Sequence, residues 1–599
     1  MPDARADQPH PAPSPGGELL DVVIVGGGFT GLAAARELSA LGLSFVLLDA
    51  YDDHLGGRAY SYDLTAGDPA LRFDHGAEYV GDLQDEIMLQ IRELLPEGAL
   101  INGAALRAPY PWEVMVLNQT RYVFRSDDSL FGIPGCPPQL GFAAALGMIG
   151  LLAEMTLVEW SIDVMEPWNA TGDLLALDRT DVWTWLQEKW WVEPTVRDLV
   201  RISVEALLSV EPSEISPYYL LWYTACNDGF LNEINDDTGG PQQYWLRGGT
   251  DQLAQRYADA VRPHVRSGTR VRSIEHGGEA CTVTTEGGEV VRARKVLVAM
   301  SPHSAGRLTF DPPPPAAHAE LMRQPMGRTI KCQLVYRTRW WHDSKGKAYD
   351  GYVGGADYPV LWVMDNSPPE ADADGGPFVL MTFTVGTQAD QLGANATDAQ
   401  ITTWVTDALA ALFDDERAKP AAGGLLRVIP YRWMPDERFV GGGPNTVFTP
   451  GALTSDVGRA LDAPLGENVF FASAENAKRL RPTSTVPHFD PFARTNEPTY
   501  TNDVRDPSPA PPYHTRYSDM RSDLGYMSGA MESGRYAAHA IASSLGARND
   551  LPGRGAAAGS PPAAPPPAPA AGDRVPHGAG VAASRARRPS STAATVPAP

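Results

Sequence analysis

Three glycines and an acid stand first among the residues able to do chemistry. In DVVIVGGGFTGLAAARELSALGLSFVLLD, Asp21 to Asp49, an apolar run is followed by Gly26, Gly28 and Gly31, and Asp49 closes a second run 23 residues after Gly26. Gly26 allows a tight turn, Gly28 lets backbone approach a pyrophosphate, and Gly31 lets a helix pack on a strand. The start of such a helix offers unpaired N–H groups and positive dipole to phosphates, and Asp49 can accept bonds from ribose hydroxyls. This is dinucleotide-binding chemistry, with FAD and NAD not distinguished by it. The second candidate is Lys331, inside TIKCQLVY (Thr329 to Tyr336), whose β-branched and apolar residues read as a strand. Alternation sets Lys331 on one face with Thr329, Gln333 and Val335, and Ile330, Cys332, Leu334 and Tyr336 on the other. Taken alone, that polar face reads as solvated, because a lysine is almost never buried without a partner.

The elements that must position these residues are a strand, glycine turn, helix and second strand at the front, and a helix near the other end. GYMSGAMESGRYAAHAIASSL, Gly525 to Leu545, carries Ala530, Gly534, Ala537, Ala538, Ile541 and Leu545 on one apolar stripe. The 599 residues, 43% hydrophobic and 20% charged, are too many for one ordinary domain and predict two. Acidic residues outnumber basic ones 73 to 49, a formal charge of −24, which argues against nucleic acid and anionic membrane as partners and is compatible with cationic substrates. Cys136, Cys226, Cys281 and Cys332 form no CxxC pair, so neither a disulfide framework nor a metal site is expected, and a reducing cytoplasm fits best. Residues 1–18 have no apolar core of a signal peptide and read as a disordered leader; 549–599, rich in Ala and Pro, read as a disordered tail. Uninterrupted apolar runs stay short of the roughly 18 residues a membrane span needs, so no span is expected.

Further motifs follow in order: HLGGRAY from His54, FDHGAEYVG from Phe73, SEISPYYLLWY from Ser213, WLRGGTDQLAQRYAD from Trp245, PMGRTIKC from Pro325, FTPGALTSDVGRA from Phe448, NVFFASAEN from Asn468 and GYMSGAMESG from Gly525. With the fingerprint, this ordered set resembles the flavin-dependent amine oxidases, on the monoamine oxidase-like branch. The resemblance implies an α/β fold of two domains. A discontinuous Rossmann-like FAD-binding domain would take residues 19–98, 247–320 and 437–548, and an inserted α+β substrate domain 99–246 and 321–436. It implies an FAD-dependent oxidase acting on an amine CH–NH2 group. The amine would become an imine, then aldehyde or ketone plus ammonia, while dioxygen becomes hydrogen peroxide. Cofactor contacts are implied for Gly26, Gly28, Gly31, Asp49, Gly57, Arg58 (phosphates), Val271 (adenine side), Trp433, Glu475 (ribitol) and Met527. Lys331 would hold a water at the flavin and Tyr526 would flank the amine, so the lysine's face is expected to point into a substrate cavity. A homodimer is the assembly the resemblance leaves open.

Departures from the family pattern carry their own expectations. Gly443 stands where mammalian monoamine oxidases tether the flavin to a cysteine, so FAD is expected to be noncovalent. Pro444 replaces one of two tyrosines flanking the amine. Tyr51 and Asp53 replace arginines after the ribose acid, and Ser473-Ala474-Glu475 replaces Gly-Thr-Glu. Tyr79 stands where L-amino acid oxidases hold a carboxylate with arginine, which favours amines without a carboxylate. The alternatives are an amino acid oxidase or biosynthetic flavoenzyme acting on a bulky amine, and a flavin-binding protein without turnover. LNEINDDTGG aligns with the cavity gate, which places Glu233, Ile234, Asp236 and Asp237 near the mouth and Gln242 in the cavity; the acids would attract a second ammonium or form a solvated turn. Finally, 47 residues, 477–523, are inserted before Tyr526 and read as a lid or inter-subunit arm. Its Phe489, Phe492, Tyr500, Tyr513 or Tyr517 are candidates for the vacant half of the aromatic cage, and Arg494, Arg505, Arg516 or Arg521 for a substitute carboxylate partner.

Overall fold

The structure, a computed structural model, describes residues 19–64, 72–107, 109–128, 130, 136–235, 239–353, 357–435, 437–477 and 523–546. The leader, the tail, nearly all of the insert with its aromatic and arginine candidates, and Asp236 and Asp237 lie outside the described residues.

The front of the chain folds as its pattern dictates. The buried strand Leu20–Val25 pairs in parallel with Phe45–Leu48 on one side and with Val290–Val298 on the other. Runs buried on both faces suit the centre of a parallel sheet, which needs helices to cover it. Among the described residues this sheet has eight strands, with Val265–Arg266 at one edge, Cys281–Thr285, Val271–Glu275 and Thr309–Asp311 towards the other, and Val469–Phe471 returning late in the chain to pair with Val290–Val298. The helix Phe29–Ala40 lies on it and packs against the helix Met527–Ser544. That packing is close: a Cβ on Gly534 would fall 2.0 Å from the Thr30 carbonyl oxygen.

A second sheet has the order Leu425–Trp433, Thr329–Tyr336, Phe378–Val385, Trp362–Asp365, Tyr349–Val353, Trp112–Leu117, Thr120–Arg125. Thr329–Tyr336 lies between two antiparallel neighbours and all eight of its residues are buried. The solvated face that the strand taken alone suggests therefore does not occur. Ile330, Cys332, Leu334 and Tyr336 enter an apolar cluster. On the other face, Gln333 Nε2 donates to the Asp74 carbonyl (3.3 Å) and Val335 packs with Phe73, so this face meets the segment around residue 74 and not water.

All strands of the first sheet come from residues 19–98, 247–320 and 437–548, and those of the second from 99–246 and 321–436. A small third sheet joins the two sets, since Tyr244–Leu246 pairs with both Tyr79–Val80 and Leu100–Asn102. Helices between residues 136 and 235 share an apolar cluster with Met115, Leu117, Phe124 and Val385 of the second sheet; among them is Pro217–Ala225, capped by Ser216, whose hydroxyl accepts from the Tyr219 N–H (3.0 Å).

One helix among the described residues bears on the expectation of no membrane span. Pro138–Glu159 is apolar and long enough for a span by length and composition, although 33% of its apolar window is buried inside the protein. Gly147, Gly150, Glu154 and Thr156 interrupt its apolar residues, so no uninterrupted run reaches the length of a span.

Candidate active site

At the glycine turn, Gly26 has φ +112°, and a Cβ there would fall 2.6 Å from the Ala299 carbonyl oxygen. A Cβ on Gly31 would lie 1.9 Å from the Gly26 oxygen, so helix and turn fit only without it. Gly28 precedes the helix Phe29–Ala40 with no side chain capping its first turn, which leaves N–H groups free for an anionic ligand. Asp49 is buried and accepts from the Gly27 N–H (2.5 Å) and the Tyr51 N–H (3.0 Å). Burial raises its carboxyl above the usual range, against the pull of these two bonds.

Beside this turn opens a cavity of about 370 Å³, lined at one end by Gly26, Gly28, Asp49, Tyr51, Arg270 and Val271 and at the other by Tyr79, Lys331, Trp362, Phe383 and Tyr526. Gly57, Arg58, Trp433, Pro444 and Met527 line it between. Residues from both ends of the chain and from both large sheets therefore share one cavity. Gly31 sits behind it, and Glu475 is buried against Arg58.

Two ion pairs organise the walls. Arg58 binds Glu475 through both carboxylate oxygens (2.9 and 3.1 Å), and also donates to the Pro444 carbonyl (2.6 Å) and Asn445 Oδ1 (3.0 Å). Burial would raise the Glu475 carboxyl, but the Arg58 charge and the Thr446 N–H outweigh it, and its pKa lies below the ordinary value. The two residues read separately as phosphate and ribitol contacts are thus partners of one another. In the second pair Lys331, 1% exposed, donates to Glu78 Oε2 (2.5 Å) and to the Gly76 carbonyl (3.0 Å), and lies over the Phe383 ring. Glu78 was not singled out from the sequence. The signal was available: an acid in the GAEYVG segment next to a lysine that needs a partner if buried.

Behind this pair, Asp74 accepts from the Ser61 hydroxyl (2.6 Å) and from the Thr250 N–H and hydroxyl (both 2.8 Å). Burial and the nearby Glu78 push it up to about 7. His75 is driven down to about 3 by burial and by Lys331, so its imidazole is neutral, and its buried Nδ1 has no hydrogen-bond partner. Its carbonyl accepts from the Trp433 indole (2.8 Å).

At the far end Tyr526 donates to Glu233 Oε2 (2.9 Å). Glu233 is fully buried, and burial pushes its carboxyl well above the usual range. It stands behind Tyr526, does not line the cavity, and is not an acid at its mouth. Ile234 packs into the helical core instead of gating the cavity. The cause is local: the turn Phe230–Glu233 directs the glutamate inward, under the start of the last helix. Gln242 lines the cavity with its Oε1 buried and unpartnered. Tyr79 donates to Met364 Sδ (3.3 Å). Tyr223, at the end of the quoted SEISPYYLLWY run, also lines the cavity, and its hydroxyl lies 2.9 Å from where a Gly525 Cβ would be.

The family model described as flavin containing amine oxidoreductase matches residues 29–483, three quarters of the chain. The chain belongs to the flavin-containing amine oxidoreductases. Within that family it is 30% identical over 462 residues to AofH of Mycobacterium tuberculosis, named as a flavin-containing monoamine oxidase, covering 76% of this chain and 92% of that protein. It is 27% identical over 476 residues to dog amine oxidase [flavin-containing] B, covering 76% and 82%. Among solved structures, cyclohexylamine oxidase from Brevibacterium oxydans superimposes with a TM-score of 0.69 at 25% identity, covering 88% of this chain and all of that one. Putrescine oxidase bound to putrescine gives 0.69 at 21% identity, a likeness of fold. This amine oxidoreductase accordingly has the two-domain fold of its family and is a flavin enzyme that acts on amines.

The residues present fit a flavin dinucleotide. Gly26 and Gly31 of the cradle admit no Cβ, the helix start offers donors with no side-chain cap, and the cavity runs continuously from Asp49 to Lys331.

Proposed function

We infer that this enzyme binds FAD without a covalent link and oxidises an amine lacking a carboxylate, with dioxygen as electron acceptor. The observation that carries the reading is the placement of the glycine cradle and the Glu78-bound Lys331 in one cavity. FAD, when bound, supplies the two-electron acceptance that converts the amine to an imine.

The chain's own residues bind, orient and exclude water. Gly26, Gly28, Asp49, Arg58 and Val271 lie at the dinucleotide end, and Trp433, Tyr526 and Met527 border the reacting end. Leu207, Leu361, Trp362 and Phe383 give that end an apolar wall. A desolvated cavity disfavours ammonium and favours the neutral amine that must react, while ring faces steer its nitrogen. Gln242 Oε1 is free to accept an N–H. Lys331, paired with Glu78 at the wall, is positioned to hold a water or oxygen species by hydrogen bonding.

Three observations support the finer points. The position of a cysteinyl tether is Gly443, and none of the four cysteines lines the cavity, which favours noncovalent FAD. The arginines lining the cavity are Arg58, held by Glu475, with Arg270 and Arg307 at the dinucleotide end, so no guanidinium among the described residues awaits a substrate carboxylate. All four cysteines are buried and unpaired, in keeping with a cytoplasmic setting.

The test is anaerobic mixing of the purified holoenzyme with separate panels of aryl-alkyl monoamines, diamines and polyamines, and L-amino acids, while the visible flavin band is followed. Bleaching by amines without a carboxylate is expected. Bleaching by amino acids alone would overturn the substrate class, and a flavin that no panel bleaches would overturn the oxidase reading.

A further inference from the structure

The helix Gly141–Glu159 buries Ala144, Ala145, Met148, Leu151 and Met155 against the protein. Its outward stripe is Phe142, Leu146, Ile149, Ala153, Leu157 and Trp160, all exposed and without a single charge. Every step along the stripe is three or four residues, the spacing of a helix face made to meet another helix. The two acids of the helix are not on the stripe: Glu154 pairs with Lys189 (2.6 Å), and Glu159 is buried on the Thr224 hydroxyl (2.6 Å).

A second element extends this face. The turn at Trp190 and Trp191 sits on the helix at Gly147 and Gly150, where added Cβ atoms would lie 3.3 Å from the Trp191 carbonyl and 3.1 Å from its ring. Glycine in a helix interior costs roughly 1 kcal/mol relative to alanine, and here two of them let the turn settle close. Trp190 is 88% exposed, Phe142 69% and Trp160 62%. The large apolar side chains of the face together leave on the order of 900 Å² in water, above the largest patch of a typical monomer and close to the ~800 Å² per partner of a stable interface.

We propose that this face is a homodimer interface, in which the helix Gly141–Glu159 packs antiparallel on the same helix of a second copy across a two-fold axis near Gly150–Ala153. An isologous contact suits a stripe nearly symmetric about its own middle. Phe142 meets the partner subunit's Trp160, Leu146 meets the partner subunit's Leu157, and Ile149 meets the partner subunit's Ala153. The tryptophans of the turn flank the seam. A bilayer is the disfavoured occupant, because a chain of net charge −24 is repelled by anionic lipid, whereas the seam itself is uncharged.

The proposal is tested on the full chain by sedimentation velocity at micromolar concentration, with flavin content and circular dichroism as folding controls. Wild type is expected at twice the chain mass and Leu146→Glu at the chain mass. The double variant Leu146→Glu/Leu157→Lys should return to twice the mass, since each new charge then meets its opposite across the axis. A monomeric wild type would overturn the proposal, as would a dimer indifferent to Leu146→Glu or a double variant that stays monomeric. Flotation of wild type with phosphatidylcholine vesicles, lost in Leu146→Glu while the lipid-free chain stays monomeric, would assign the face to membrane instead.

Discussion

Replacing Lys331 by Met keeps most of the side-chain volume and removes the ammonium, which leaves Glu78 buried with a lone carboxylate in front of Asp74. Across the 2.5 Å separation, an effective dielectric of 20 gives an attraction of roughly 6 to 7 kcal/mol, most of it offset by desolvation of both ions. Removing one partner of a buried pair costs about 3–5 kcal/mol. The loss has a ceiling, because the orphaned carboxylate can take up a proton. From the ordinary glutamate value that costs about 4 kcal/mol at pH 7 and about 1 kcal/mol at pH 5. Lys331→Met is therefore expected to destabilise the flavin-free chain by about 3–4 kcal/mol at pH 7 and by far less at pH 5. Lys331→Met/Glu78→Gln, with neither charge, should recover most of the loss at pH 7. Urea unfolding followed by tryptophan fluorescence at the two pH values measures this, and the flavin-loaded Lys331→Met enzyme should turn over slowly. Wild-type stability of Lys331→Met at both pH values, or a double variant no better than the single one, would refute the reasoning.

Gly31→Ala should abolish flavin retention, read as the visible-to-280 nm absorbance ratio of the purified chain, because its Cβ would meet the Gly26 carbonyl oxygen at 1.9 Å; full flavin content would contradict the cradle. Asp74 titrates near 7 against an ordinary 3.8, so its contribution is complete below pH 3.8 and lost as pH rises through about 7. Relative to Asp74→Asn, wild type should lose up to about 4 kcal/mol between those limits, and parallel pH–stability curves would exclude it. Acid precipitation should release all yellow colour into the supernatant, and colour left in the pellet would refute noncovalent binding.

How much the sequence disclosed depended on distance along the chain. The glycine fingerprint and Asp49 were legible because strand, turn, helix and acid are contiguous, and each glycine's neighbour is set by local geometry. The strand at Thr329–Tyr336 was legible from its alternation, but the environment of its polar face was not. Glu78 lies 253 residues before Lys331, and nothing in a period of two tells whether water or protein covers a face. Likewise the resemblance implies a separate cofactor contact for Arg58 and for Glu475, 417 residues apart, and nothing along the chain shows that they pair with each other. Glu233 is expected at the cavity mouth because LNEINDDTGG aligns with the family's gate, whereas a short helical turn here buries it beneath Tyr526.

Oxidation of an amine by dioxygen in the one cavity built by the glycine cradle and Lys331 is open to direct test. Its most direct measurement is a turnover balance on the FAD-loaded enzyme with an amine that bleaches the flavin, counting oxygen consumed, hydrogen peroxide formed and ammonia released. One of each per amine is expected in wild type, and a slowed but still balanced reaction in Lys331→Met. Flavin that is reduced by the amine yet yields no peroxide in air, or peroxide without ammonia, would contradict it.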